Sequence, residues 1–444
     1  MPEALFGLVE KEVARRGGGQ SELFLSRERS RRYDARGGGI DSISFSDSLS
    51  LGVRVFRNGR MGFSYGFREG WEEIARMVDA AVFCADSSDP DPAYGLPDAA
   101  GESAGPPLFD PAWDGVGDRE KAEFASGLER ATLAFDPRMK RVRSASLKET
   151  VAEVRFWNSS GRSGVYRVSR YFAYVDSVAE QGDEAQTGYG FGFARRFADL
   201  RPGAIAEEAG RRAVRMLGAR RLRTGCWPAI LENSASAELL EVLIPSFLAS
   251  QVVKGKSMLA GKTGKAIASG NVRIADDPLD PAGSGAAAFD GEGTPSRPNV
   301  LVEAGVLKGF LSDSFWGRKV GMGSTGSCRR PGPKAPPAAG ISNLLISPGD
   351  RTPEEMRKGM GAGILLTEFL GIHTADPVSG DFSVGAAGIR FEGGEEKEPV
   401  RGFAVSGNVL SLLSRVAETG SDFRWFGNVG SPSLAIPEIS VGGE

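Results

Sequence analysis

The sequence predicts an α+β protein: an N-terminal α/β two-layer region with an antiparallel sheet, then a C-terminal predominantly β domain with a few helices. Three observations carry this expectation. Through the first half, apolar residues switch between helical spacing and strict alternation. The turn Arg57-Asn58-Gly59-Arg60 joins two alternating runs, as a tight hairpin requires. From Val252 onward glycines are dense and apolar runs are short, which describes strands with long connections. With 444 residues, 41% of them hydrophobic and 25% charged, the chain is long enough to build more than one core.

Leu5, Leu8, Val9 and Val13 recur at helical spacing, and Gly17-Gly18-Gly19 ends that first helix. Residues 22–27 read as a short strand, and 43–56 and 62–67 as the two arms of the hairpin. In 71–84, Ile74, Met77, Val78 and Ala81 return to helical spacing and predict a helix covering one sheet face. Residues 86–118 are broken throughout by Pro, Asp, Gly and Ser, the composition of a surface connection. A helix over 118–135 follows, with Asp118 as N-cap. Strands are expected at 141–147, 151–157, 164–178 and 184–193, and a helix at 202–217 with Pro202 in its first turn.

The domain boundary falls at 224–228, giving domains 1–223 and 224–444. In the second domain, 235–248 predicts a helix that is apolar on more than one face and kinked at Pro245. Residues 329–340, RRPGPKAPPAAG, read as a mobile proline-rich surface loop. A helix over 353–369 is expected to start on a capping box formed by Thr352 and Glu355.

Net charge is −3 and the pI about 5.7, with basic residues scattered, so no stripe of cations is available for phosphate backbones. Direct nucleic-acid binding is not expected. Cys84, Cys226 and Cys328 are far apart and lack CxxC spacing, which argues against a disulfide framework and a structural zinc, and fits a cytoplasmic setting. Residues 1–20 are amphipathic and charged, unlike a signal peptide. No run approaches the roughly 18 apolar residues that a membrane span needs.

Chemistry-bearing residues concentrate around 371–388, GIHTADPVSGDFSVGAAG, which holds the chain's single histidine. His373 with Asp376 or Asp381 and Ser379 or Ser383 could be drawn as a nucleophilic triad, but no Gly-x-Ser-x-Gly elbow accompanies it. A histidine within a hydrogen-bonded turn is the plainer reading. Cys328 beside Arg329 and Arg330 could have a depressed thiol pKa, yet lacks a histidine partner. Asp276, Asp277, Asp290 and Glu292 could form a hard-cation site or simply be loop residues. Tyr189-Gly190-Phe191-Gly192-Phe193 alternates as a strand does, so it is not read as a phosphate cradle.

An ordered set of short motifs surrounds that stretch. Asn158-Ser159-Ser160-Gly161, Thr187-Gly188-Tyr189-Gly190, Ser257 to Gly264, Asp276-Asp277-Pro278, Phe289 to Pro295, Ser324-Thr325-Gly326, Ser406-Gly407-Asn408, Gly420-Ser421-Asp422, Pro432-Ser433-Leu434 and Ser440 to Gly443 follow at family spacing. Together with 371–388, they resemble the TldD/PmbA family, formerly called modulators of DNA gyrase, over nearly the whole chain.

The resemblance implies a metallopeptidase relative. Catalytic members carry two histidines and a glutamate on one helix and a distant cysteine, which together hold a metal. Here the matching helix has only Glu238 and Glu241, expected on its exposed edge, and the segment 420–432 has no cysteine. With one histidine, the usual His-rich zinc site cannot be assembled from this chain.

The resemblance therefore points to the TldE/PmbA-like branch that lacks the metal motif, with no catalytic residues, metal ligands or cofactor of its own. Its partner would be a TldD-type metallopeptidase subunit, or a second copy when that partner is missing. The substrate would be a peptide or unfolded protein held as an extended strand. The candidate groove wall comprises His373, Ser379, Gly380, Asp381, Phe382, Ser406, Gly407 and Asn408. An autonomous hydrolase with an unrecognised site, or a regulatory binding module, stands as the alternative.

Overall fold

The first half is a single antiparallel sheet assembled from two copies of one pattern. In the computed structural model, which describes residues 2–98 and 105–444, the first set is α1 (Pro2–Arg15), β1 (Gln20–Arg36), β2 (Gly39–Arg57), β3 (Arg60–Gly66) and α2 (Trp71–Ser87). The second set is α3 (Asp118–Ala134), β4 (Met139–Asn158), β5 (Ser163–Gln181), β6 (Glu184–Ala194) and α4 (Pro202–Arg215). Each is helix, three-strand meander, helix. The first strands of the two sets pair antiparallel, giving a six-stranded order β3-β2-β1-β4-β5-β6.

The helices cover one face. Leu23, Leu25, Leu51, Val53 and Val55 pack under α1 and α2 against Ile74, Met77, Val78 and Ala81. Tyr33, Leu147, Tyr171 and Val175 pack under α3 and α4 against Leu128, Ile205 and Ala209. Each outer strand seats its helix on a glycine. A Cβ at Gly62 would lie 1.8 Å from the Ala81 carbonyl oxygen, and one at Gly190 would lie 2.1 Å from that of Ile205. Alternation in β6 thus has a physical reason: glycines face α4 while Tyr189 and Phe191 stack on Tyr174 and Phe172 across the sheet's other face.

Several expectations were local readings of longer elements. β1 runs far past residue 27, because Arg27, Arg31 and Arg32 find acids at Asp47, Asp118 and Asp34, and the charged stretch stays in register between β2 and β4. The two strands expected at 141–147 and 151–157 are one, β4. Asp118 is not a cap: Gly117 holds that position, and the Asp118 carboxylate accepts from the Tyr33 hydroxyl at 2.8 Å and pairs with Arg31. The hairpin turn is as the sequence requires, with Asn58 and Gly59 both at positive φ (51° and 67°).

Within 86–118, residues 99–104 lie outside the described part. Elsewhere that connection is packed: Leu96 and Leu108 are buried, and Arg318 donates to the Ala93 and Gly95 carbonyls.

In the second half, β7 (Gly225–Leu231) lies between the parallel strand Ala362–Leu370 and the antiparallel strand Leu434–Gly442. Asp381–Glu392 and Glu395–Asn408 extend this sheet. Val405 then pairs with Val441, which closes the strands into a barrel. A second six-stranded sheet carries Ile274–Asp276, Leu344–Ile346 and Val429–Ser431 at its centre. α5 (Asn233–Leu243) packs between them with Ala235, Leu239, Leu240 and Leu243 buried, and the helix ends where Pro245 begins a 3-10 turn.

The helix expected over 353–369 stops at Met360. Its capping box is present, but Gly361 takes a positive φ of 77° and Ala362–Leu370 becomes a barrel strand. That strand is buried on both faces, so its apolar run carries no period that separates it from a helix. The 329–340 loop is tethered at its base by pairing of Cys328–Arg329 with Ala338–Ala339.

Candidate functional site

The two halves meet on the sheet face that the helices leave open. Phe289 packs on Phe156 and Tyr166, with ring centroids 6.3 and 5.0 Å away. Beside this apolar contact lies a buried charge network. The Arg54 guanidinium donates to both Glu22 oxygens at 2.7 Å and to Glu292 Oε1 at 3.0 Å. Arg330 donates to Glu22 Oε1 at 2.6 Å and to the Gly291 carbonyl at 3.0 Å. Glu292 also accepts from the Ser314 N–H and hydroxyl, both at 2.9 Å. Burial pushes the Glu22 carboxyl up, but the two arginines outweigh it and hold the group below its ordinary value.

Asp290 sits beside this network and accepts backbone N–H bonds from Glu292, Thr294 and Cys328. Burial and the charge on Glu292 still push its pKa up to about 7, and they push Asp313 up to about 6. Asp276 is fully buried in another strand and accepts from the Ser342 N–H at 2.7 Å, while Asp277 closes a local turn on Leu279. Asp290 and Glu292 therefore serve the junction between the halves, and the four carboxylates do not converge. Cys328 is buried, and burial raises its thiol pKa instead of lowering it.

His373 is exposed in a 3-10 turn. The acids considered as its partners are committed elsewhere. Asp376 accepts the Val378 N–H at 2.7 Å, and Asp381 accepts from Asn408 Nδ2 at 2.8 Å. Asn408 also donates to the Ser379 carbonyl and caps the next helix, accepting from Leu410 and Ser411. Strand pairing sets Asp381 opposite Asn408, Phe382 opposite Gly407 and Ser383 opposite Ser406. Structure thus brings Ser379, Gly380, Asp381, Phe382, Ser406, Gly407 and Asn408 into one corner, with Phe382 buried and Ser379, Asp381, Ser406 and Gly407 exposed. A concave surface of about 380 Å³ lies elsewhere, between β1–β2 and the 330–335 loop, lined by Phe24, Ser26, Glu28, Ser48, Ser50 and Pro333.

On α5, the helix matched to the metal-binding helix, Glu241 is exposed, as expected, and Glu238 is half-buried. Burial raises both carboxyls, Glu238 to about 7 with help from Glu368 and Glu241, and Glu238 Oε2 has no hydrogen-bond partner among the described residues. Glu368 comes from the strand Ala362–Leu370, mistaken for helix, so no spacing in the sequence announced it. The distal segment does reach α5: Asn233 Nδ2 donates to the Asp422 carbonyl at 2.9 Å, and the buried Ser236 and Ser431 hydroxyls are 2.6 Å apart. Among the described residues, no three His, Cys, Asp or Glu side chains are placed to hold a metal ion. A tetrahedral zinc wants imidazole or thiolate ligands, and the groups at this place do not fit one. None of the described helices is long and apolar enough to cross a membrane.

Comparison with known proteins matches the PmbA/TldA metallopeptidase domain 1 at residues 21–85, the central domain at 111–217 and the C-terminal domain at 224–443. The first two supply strands to the one N-terminal sheet. The chain is 28% identical to the metalloprotease PmbA of Escherichia coli O157:H7, over 96% of this chain and 92% of that protein. It is 30% identical to a metalloprotease of Methanothermobacter thermautotrophicus, over 90% and 88%. A Thermotoga maritima crystal structure described as a modulator of DNA gyrase superposes with a TM-score of 0.91 at 25% identity, covering both chains completely. TldE of Thermococcus kodakarensis shares the fold, with a TM-score of 0.89 at 23% identity over 99% of each chain. The chain belongs to the PmbA/TldD family.

Proposed function

We propose that this chain is a metal-lacking, TldE/PmbA-like subunit that positions peptide or unfolded protein for a TldD-type metallopeptidase partner. One observation carries the reading. α5 and the distal segment come together as a metal site would need, but they meet through the hydroxyls of Ser236 and Ser431. Activating water near neutral pH by a metal needs ligands that hold the metal. Holding an extended substrate needs only shape and hydrogen-bonding groups. The exposed corner formed by Ser379, Asp381, Ser406 and Gly407, backed by Gly380, Phe382 and Asn408, supplies such groups and is the proposed wall, with His373 exposed in the turn before it.

The test is reconstitution. Alone, the chain should leave an unfolded peptide intact; mixed with a TldD-type subunit it should give cleavage that a chelator abolishes. Cleavage by the purified chain alone would favour the autonomous hydrolase instead.

A further inference from the structure

The concave slot between β1–β2 and the 330–335 loop lies apart from the proposed wall and shares no residue with it. Leu23, Leu25, Leu51 and Val53 are turned under the helices, so the alternate residues of both strands face the slot. The strands contribute Phe24 and the hydroxyls of Ser26, Ser48 and Ser50, and Phe67 and Pro333 complete a space of about 380 Å³. Apolar walls with a few polar groups, at that volume, are what a small ligand needs.

Two of the polar groups have capacity left. Arg330 donates from Nε to the Gly291 carbonyl and from Nη2 to Glu22, and its guanidinium lies 4.1 Å from the Phe24 ring centroid. Its Nη1 makes no hydrogen bond among the described residues. That nitrogen lies over Gly52, where a Cβ would come within 3.1 Å of it. Because Glu22 already balances the charge, Arg330 offers the slot an N–H donor and not an unmatched cation. Glu28 is the reverse: its carboxylate has neither an ion pair nor a hydrogen bond among the described residues, and Lys334 of the loop does not line the slot. Ser48 and Ser50 donate to the Glu28 and Ser26 carbonyls only at 3.4 Å, long for an O–H···O bond, so both hydroxyls can turn to a ligand.

The spacing selects the ligand. Gly52 pairs with Phe24, and Glu28 stands four residues further along β1, about 13 Å at the rise of a strand. An extended peptide of three residues covers about 10 Å at the same rise, and the flexible Glu28 side chain covers the difference.

We propose that the slot binds the free amino end of an extended peptide, with its ammonium on Glu28 and the carbonyl of its third residue on Arg330 Nη1. This deepens, and for its purpose rests on, the reading of the chain as a peptide-positioning subunit. Binding is measured on the chain alone, so it can fail while reconstituted cleavage succeeds, and the reverse.

Isothermal titration calorimetry of the full chain with trileucine amide should show one peptide per chain. Acetylating the peptide's ammonium should weaken binding about tenfold, the value of a hydrogen bond between charged groups. Glu28→Gln should weaken the free peptide equally. That variant should bind the acetylated peptide as wild type does, because the two changes remove the same contact. Ser50→Trp fills the slot from a half-buried position and should abolish binding with unchanged circular dichroism; if the spectrum changes, the Glu28→Gln comparison decides. No heat at millimolar peptide, equal affinity for free and acetylated peptide, wild-type affinity in Glu28→Gln or in a folded Ser50→Trp chain, or a further loss for acetylated peptide in Glu28→Gln overturns the proposal.

Discussion

Two clusters of carboxylates divide this molecule: one is buried and paired with arginines, and in the other a half-buried Glu238 lies near the exposed Glu241 and Glu368. At the junction of the halves, Glu22 and Glu292 face Arg54 and Arg330 with hydrogen bonds on every side. At α5, Glu238, Glu241 and Glu368 sit together, and burial raises all three. Removing a charge from water is costly, and a close counter-charge with filled hydrogen bonds repays it. The first cluster therefore joins β1 and β2 to loops more than two hundred residues away. In the second, Glu238 alone bears a burial cost, with its Oε2 unpartnered among the described residues, and groups in that condition concentrate where a protein meets something outside itself. It lies where catalytic relatives are expected to hold metal.

This contrast can be broken most readily at the junction. Arg54→Ala leaves two buried carboxylates short of a cation and should cost about 3–5 kcal/mol in urea unfolding at pH 7. A loss under about 1 kcal/mol, the value of a surface pair, would erase the distinction between the clusters.

Glu238→Gln tests the other side with the opposite sign. The folded pKa of Glu238, near 7, lies above its ordinary value, so the fold binds that proton more tightly than the unfolded chain does. The associated stability is complete in acid and is lost as pH climbs to about 7. The variant should match wild type at pH 5 and be more stable by about 1–2 kcal/mol at pH 8, after allowing for partial solvent exposure. Equal stabilities at both pH values would mean that Glu238 is solvated in both states. The smallest effect belongs to His373→Ala, an exposed turn position, which should shift the thermal midpoint by no more than about 0.5 kcal/mol of stability implies.

Local order was legible in the sequence wherever a few adjacent residues decide it. Asn58-Gly59 specifies a turn because both positions need positive φ, and Thr352 with Glu355 satisfies two helix-end donors at once. Legibility failed where the deciding partner is distant. The arginines of β1 look like a loop until Asp47, Asp118 and β4 are beside them. Residues 362–370 look helical until β7 and Asp381–Glu392 take both edges. For the site, the absence of histidine ligands could be read at once. The clustering of Glu238 with Glu368, and the meeting of Ser236 with Ser431, depends on contacts that span over one hundred residues.

The central claim is that α5 and the segment facing it cannot hold a catalytic metal. Elemental analysis of the purified full-length chain, dialysed after exposure to excess zinc, tests it most directly. The expected result is zinc far below one equivalent, because neither imidazole nor thiolate converges there. Retention of about one zinc per chain, lost when Glu238 and Glu241 are both changed to Gln, would contradict the account.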